Sequence, residues 1–216
     1  MPLWINKHLL EFGLLAFTSL FVTVNPLGVM PVYLSMTASL SSQEARRVAA
    51  RATGTAIFTL MLFALTGQLI FDFFDVSIDS LRVVGGILFF LLGYEMLQAR
   101  LSRTQQGEES DSVFASEIAI TPLAIPMICG PGAITTVILM MNAGGTLPQK
   151  GLLFGVIALM GALTFAILVG AKRMMALLGE SGNKVLLRLM GLLMMMIAVE
   201  FFVSGLKPIV RELMAL

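Results

Sequence analysis

Charge is scarce in this chain. Only 12% of its 216 residues are charged, against roughly 25% in an ordinary soluble domain. Hydrophobic residues make up 57%, and the mean hydropathy is +0.93. That balance excludes a soluble globular domain and implies a membrane protein with several spans. The formal net charge is +1, so nothing invites nucleic acid or a strongly charged macromolecule. A single cysteine, Cys129, excludes an internal disulfide and a cysteine-based metal site; it reads as a small buried apolar side chain. The lone histidine, His8, sits at the edge of the first apolar run. There is no Gly-x-Ser-x-Gly, no mid-span aspartate pair and no Gly-rich phosphate loop ending in Lys-Ser/Thr. Enzymatic activity, a cofactor, a metal and ATP driving by this chain itself are therefore not expected. The 16 methionines, dense at Met194–Met196, suit irregular helix packing better than copper binding. The first apolar run is too long for a signal-peptide core, so no cleavable signal is expected.

What the chain does have is two long stretches without any charge, Phe12 to Gln43 and Ile118 to Gln149. Each is too long for one simple span, since about 20 apolar residues cross a bilayer. Each is also interrupted by proline and glycine: Asn25-Pro-Leu-Gly-Val-Met-Pro31 in the first, Thr121-Pro-Leu-Ala-Ile-Pro126 and Cys129-Gly-Pro-Gly132 in the second. Proline removes a backbone donor and clashes with the preceding turn, so a helix breaks or bends there. Backbone groups freed inside a membrane survive only where protein or a watery cavity satisfies them. Interrupted spans at matching places in two halves point to a transporter's binding site.

Charges divide the chain into six spans: about 9–40, 52–71, 81–99, 118–141, 151–171 and 185–206. A polar, acidic loop is expected over 102–117, and a short link at Gly179–Asn183 joins the last two spans. The loops after spans one, three and five carry Arg46, Arg47, Arg51, Arg100, Arg103, Lys172, Arg173, Lys184 and Arg188. They outnumber Lys7, Arg82, Lys150, Lys207 and Arg211 on the other side. In the inner (plasma) membrane of a prokaryotic cell, the expected location, the positive-inside rule then puts both termini outside the cytoplasm.

The halves repeat. At a constant offset of about 105 residues, Pro26 falls on Pro131, Gly86 on Gly191 and Glu95 on Glu200. Val32, Leu34, Met36 and Ala38 fall on Val137, Leu139, Met141 and Ala143. Aliphatic matches mean little in so apolar a chain, so the weight rests on proline and glutamate. With three spans per unit the second unit enters the membrane upside down. The expected fold is an all-α membrane protein: six transmembrane helices as two inverted three-helix repeats (about 9–100 and 118–208), with helices 1 and 4 discontinuous.

Four segments carry a resemblance. Asn25-Pro-Leu-Gly-Val-Met-Pro31, Ser77-Ile-Asp-Ser-Leu-Arg-Val-Val-Gly-Gly86, Pro122-Leu-Ala-Ile-Pro-Met-Ile-Cys-Gly-Pro-Gly132 and Arg188-Leu-Met-Gly191 are similar, in order and over nearly the whole chain, to signatures of the MarC family. That family is grouped with LysE-type exporters, and its SnatA-like members carry small neutral amino acids such as glycine and alanine. The resemblance implies that substrate class and a fold of two inverted halves. The family name comes from antibiotic resistance, but one Trp and two Tyr do not furnish a drug pump's aromatic cavity.

Broken helices suit a zwitterion. A half-helix that starts after a break offers unpaired N–H groups and a positive dipole end to a carboxylate. The half-helix before it ends in carbonyls that suit an ammonium. The expected site is the amides near Gly28 and Gly132, with Gly130, Pro26 and Pro131 shaping the breaks and Asn25 orienting the amine. Thr23, Thr121, Thr135 and Thr136 are further candidates. Breaks that only kink helices for packing are the alternative. Glu95 and Glu200 could relay a coupling proton or simply meet headgroup water. Arg82 and Arg188 could gate one half against the other or pair with nearby acids and lipid headgroups. Coupling to H+ or Na+, transport direction and a homo-oligomer all stay open. A passive channel or facilitator for another small polar solute is the second reading.

Overall fold

The structure is a computed structural model, and it describes residues 3–98 and 119–214. Every element among them is helical or helix-like. Helix α1 spans Leu3–Val24, α2 Pro26–Met36, α3 Ser42–Phe74 and α4 Ile78–Leu97. An irregular segment, Ala119–Ile128, leads into α5 (Pro131–Ala143), and α6 covers Leu147–Met214. The expected acidic loop, with Arg100 and Arg103, lies outside the described residues. Five stretches are long and apolar enough to cross a membrane: His8–Met36, Ser42–Phe74, Ile78–Leu97, Leu147–Ala171 and Val185–Met214. The bent pair Ala119–Ile128 and Pro131–Ala143 makes up to 6.

The first break falls at one residue. Asn25 adopts the left-handed conformation (φ 47°, ψ 63°), which asparagine tolerates better than most residues. Pro26 follows, with no N–H to return to the Val22 carbonyl. Proline is well placed at the first position of a new helix, so α2 starts there.

The second break is wider, and corrects the expectation of a regular half-helix before it. Thr121 (φ −127°, ψ 122°) and Ile125 (φ −128°, ψ 122°) are both extended, as the residue before a proline tends to be. The bonds to Pro122 and Pro126 are cis. The chain descends in wide turns, one closed by Cys129 N–H donating to the Ala124 carbonyl at 2.8 Å. It then bends by 54° into α5, which starts with Pro131 as α2 starts with Pro26.

Two spans differ from expectation in length. Helix α3 begins well before Ala52 because Ser41 and Glu44 form a reciprocal capping box. Arg46, Arg47 and Arg51 thus lie on its first turns, exposed, rather than in a loop. Helical turns also run through the expected Gly179–Asn183 link. Yet α6 is not straight. Leu152 packs on Gly13, while Phe201 packs on Gly132, one turn from Thr136, whose hydroxyl faces Thr23. Gly13 and Thr23 share α1, only about 15 Å apart at 1.5 Å per residue. A straight helix would separate Leu152 from Phe201 by about 70 Å. The chain therefore doubles back between its last two spans.

Small residues set the packing, as expected where apolar lipid offers no hydrophobic drive for helices to associate. Antiparallel to α4, the last span approaches it backbone to backbone. A Cβ on Gly86 would stand 2.7 Å from the Ala198 carbonyl oxygen, one on Gly93 2.7 Å from that of Gly191, and one on Gly205 2.5 Å from that of Asp79. Gly161 and Gly67 instead receive side chains, the ends of Ile57 and Ile138 respectively. The buried centre comprises Ala16, Leu20 and Val24 of α1, Val32 and Tyr33 of α2, Ala49, Ala52 and Ala56 of α3, and Ala133 and Val137 of α5. Both breaks lie against this centre.

Candidate functional site: two helix breaks

The two breaks adjoin. Thr136, one turn into α5, has its hydroxyl 3.5 Å from that of Thr23, at the end of α1. Each is also anchored to its own helix: Thr136 Oγ1 donates to the Gly132 carbonyl at 2.8 Å and Thr23 Oγ1 to the Ser19 carbonyl at 2.9 Å. A crevice lined by Val22, Thr23, Asn25, Phe89, Met127, Met194 and Ile197 lies at the first break. It has room for about one water molecule. The same Phe89 ring packs on Gly130, where a Cβ would stand 2.6 Å from it, and so connects the crevice to the second break. No cationic or anionic side chain lines this crevice.

The breaks differ chemically. At the first, Asn25 caps α2: its Oδ1 accepts from the Gly28 N–H at 3.1 Å, and its main-chain carbonyl accepts from the same N–H at 2.9 Å. The Val29 N–H reaches that carbonyl as well, at 3.2 Å. The Gly28 amide, expected to meet a carboxylate, is thus already engaged by Asn25. At the second, Gly130 has no side chain to cap α5. The first helical amide bonded back is that of Ile134, to the Gly130 carbonyl at 2.9 Å. The Gly132 and Ala133 amides have no hydrogen-bond partner among the described residues, and both residues are buried. Gly28, at the first break, leaves no room for a side chain because the Asn25 amide group fills it, whereas at Gly132 the Phe201 ring does.

The other expected residues fall into two groups. Pro26, Pro131, Gly130 and Thr135 are buried at the breaks. Thr135 is 95% buried by its relative exposure of 5%, and its hydroxyl has no partner. Thr121 is exposed on the far side of the wide turns. Glu95 and Glu200 are exposed on the outer faces of α4 and α6 and do not line the crevice; Glu200 shares a shallow hollow with Ser204, Lys207 and Arg211. Arg82 pairs with Asp79 at 2.9 Å, both half-buried, and Arg188 is exposed.

Residues that the sequence did not single out complete the site. Phe89 and Phe201 pack on Gly130 and Gly132 respectively, and their rings lie 5.9 Å apart, tilted by 42°. Met127, Met194 and Ile197 close the crevice. Among 15 phenylalanines and 16 methionines, nothing in the linear pattern marks these few. Only the doubling back of α6 brings Phe201 to the break.

Comparison with known proteins agrees with this architecture. Residues 10–210 match the family described as MarC family integral membrane protein. A UPF0056 membrane protein of Pyrococcus horikoshii is 40% identical over 90% of this chain and 94% of its own length. The UPF0056 membrane protein YvbG of Bacillus subtilis is 37% identical over 88% of this chain and 92% of its own. YhcE of Escherichia coli is 32% identical over 89% and 91%. No solved structure matches. With a match over most of its length and relatives in both bacteria and archaea, the chain belongs to the MarC family of integral membrane proteins.

Proposed function

We propose that this protein is a secondary transporter of small neutral amino acids such as alanine and glycine, in the prokaryotic inner membrane, with its site at the two breaks. The observation that carries this reading is the meeting of two interrupted spans inside the bundle, Thr23 against Thr136. The crevice supplies backbone groups, the Thr23 hydroxyl and the Asn25 amide, but no charged side chain. A net ion held there would be a buried, uncompensated charge, whereas a zwitterion brings its own counter-charge. Its lining also leaves space for little beyond a small side chain. Room for about one water fits a closed state of a carrier better than an open pore.

Alternating access follows from the repeat. The contacts obey the offset of about 105 residues: Gly86 meets Ala198 and Gly93 meets Gly191, where Gly191 is the counterpart of Gly86 and Ala198 that of Gly93. Phe89 meets Gly130, while their counterparts Met194 and Asn25 line one crevice. Two inverted units rocking about this glycine-lined crossing would expose the breaks to each side in turn, with both termini outside the cytoplasm. A coupling H+ or Na+ is compatible with the reading; the exposed positions of Glu95 and Glu200 favour neither.

Counterflow of labelled alanine and glycine into proteoliposomes, with and without pH and sodium gradients, tests the proposal. Saturable exchange is expected. Flux that is linear in concentration and shows no exchange would favour the channel reading, and no flux of either amino acid would remove the substrate class.

A further inference from the structure

The crevice at the first break is graded from polar to apolar. At its mouth Val22 is exposed and Thr23 and Asn25 are half-buried, while Phe89, Met127 and Met194 are buried and form its floor. A small amino acid suits such a crevice in one sense only. Its charged ends belong at the polar mouth, since burying them against hydrocarbon is costly, and its side chain belongs on the floor. The floor therefore meets the part that distinguishes one neutral amino acid from another. With room for about one water molecule, it accepts a side chain only when a lining group withdraws.

The lining residues differ in their freedom to do so. The Phe89 ring is held on two sides, packed on Gly130 and lying 5.9 Å from the Phe201 ring. Val24 and Ile197 are β-branched and stiff at χ1. The two methionines are unbranched and adaptable, but they stand on different supports. Met127 sits on the irregular segment and defines no fixed depth. Met194 stands on the last span between its close approaches to α4, where Gly191 meets Gly93 and Ala198 meets Gly86. Backbone there has no room to shift, so any yielding falls to the Met194 side chain. At the repeat offset of about 105 residues its counterpart is Phe89. The two halves thus bring one fixed and one adjustable wall to the same crevice.

We propose that Met194 sets side-chain size selectivity: its thioether chain floors the pocket and withdraws further for each carbon the substrate adds. This rests on the proposed function in placing an amino acid at the breaks, and it adds which residue grades one amino acid against the next. Glycine binds with Met194 in place, alanine displaces it a little, and valine displaces it more. Replacing Met194 by alanine removes Cγ, Sδ and Cε, more than the carbons by which valine exceeds alanine. The penalty on valine's extra bulk then disappears.

The test is competition by alanine and valine against counterflow of labelled alanine, read as the ratio of the valine KM to the alanine KM. In Met194→Ala the ratio should fall roughly tenfold, the low end for a methylene in an apolar pocket. Met194→Leu, which keeps the volume, should hold it near the wild-type value. Met160→Ala, which empties a methionine buried away from the crevice, should lower the melting temperature without moving the ratio. An unchanged ratio in Met194→Ala, or an equal fall in Met160→Ala, overturns the assignment and leaves the carrier standing. Should wild type carry no amino acid, the proposed function falls, and thiol labelling decides the floor by itself. With Met127→Cys on a Cys129→Ala background, methyl methanethiosulfonate should react roughly tenfold faster than the benzyl reagent, each rate taken relative to free cysteine. Adding Met194→Ala should abolish that difference. A difference that persists, none while Met194 is present, or no labelling by either reagent overturns the assignment. Should Met194→Ala not fold, Met194→Val takes its place in both assays, with 2-aminobutyrate in place of valine and the ethyl reagent in place of the benzyl one.

Discussion

Replacing Asn25 separates two jobs that this residue performs: holding the break and presenting its side chain to the crevice. In Asn25→Ala the cap from Oδ1 to the Gly28 N–H is lost, but that N–H keeps the main-chain carbonyl at 2.9 Å. The loss should therefore fall at the low end for an N-cap, about 0.5–1 kcal/mol. Alanine must also adopt the left-handed conformation seen at φ 47°, which costs roughly 1–2 kcal/mol. The sum is about 2 kcal/mol, on the order of 4–8 °C in melting temperature. Asn25→Gly removes the same cap, yet glycine adopts a positive φ freely and costs only a few tenths of a kcal/mol as a cap. Melting in detergent should thus rank wild type and Asn25→Gly close together, with Asn25→Ala clearly below. Counterflow then separates the jobs. If Asn25 orients substrate, Asn25→Gly is stable but transports poorly; if it only shapes the break, glycine rescues transport. Equal melting of the alanine and glycine variants would refute the backbone argument itself.

Three further outcomes follow from the packing. Gly93→Leu would drive a side chain onto the Gly191 carbonyl oxygen, 2.7 Å from a Cβ; because backbone cannot yield as a side chain can, loss of monodisperse protein on size-exclusion chromatography is expected. Gly54→Ala, inside α3 with nothing within 4 Å of a Cβ, should instead stabilise by up to about 1 kcal/mol, read as a higher melting temperature with unchanged counterflow. Glu95→Gln and Glu200→Gln should leave the KM for counterflow within about twofold, since both groups are exposed away from the crevice; a large rise in either would place that carboxylate in the transport path.

Much of the fold can be read along the chain because membrane-spanning helices are local objects. Apolar length, charge placement and proline mark them without reference to any neighbour. The first break is legible to the residue, since Asn25-Pro26 combines a left-handed-tolerant residue with a missing donor. What could not be read depends on competition or on contact. The early start of α3 was written in Ser41 and Glu44, but three arginines nearby suggested a loop; a capping box outweighs them because arginine is a good helix former. The wide turns at Thr121 and Ile125 replace a half-helix because two prolines four residues apart each push the preceding residue out of the helical region. Phe89 and Phe201 were invisible because their significance lies wholly in reaching Gly130 and Gly132 across the bundle.

The same reasoning explains why a repeat in sequence need not be a repeat in chemistry. At the offset of about 105 residues, Pro26 and Pro131 each open a half-helix, so the geometry of a break recurs. The residue just before differs: Asn25 at one break, Gly130 at the other. Asparagine brings its own acceptor and satisfies the helix start from within; glycine brings nothing and leaves the start to whatever approaches. One substitution between equivalent positions therefore turns a pair of matching helix ends into a donor end and a closed end. A symmetric pair of anion sites would attract two carboxylates, or hold one equally well in either sense. On the proposed function, an asymmetric pair would select a small molecule whose two ends differ, as those of an amino acid do. Installing the missing cap, by Gly130→Asn, should close the second break as Asn25 closes the first. A Cβ there would stand 2.5 Å from the Pro126 carbonyl oxygen and 2.6 Å from the Phe89 ring, so the variant should melt lower as well, and transport should fall in the protein that remains folded. Unimpaired transport in that variant would mean that the open amides of α5 do not meet the substrate.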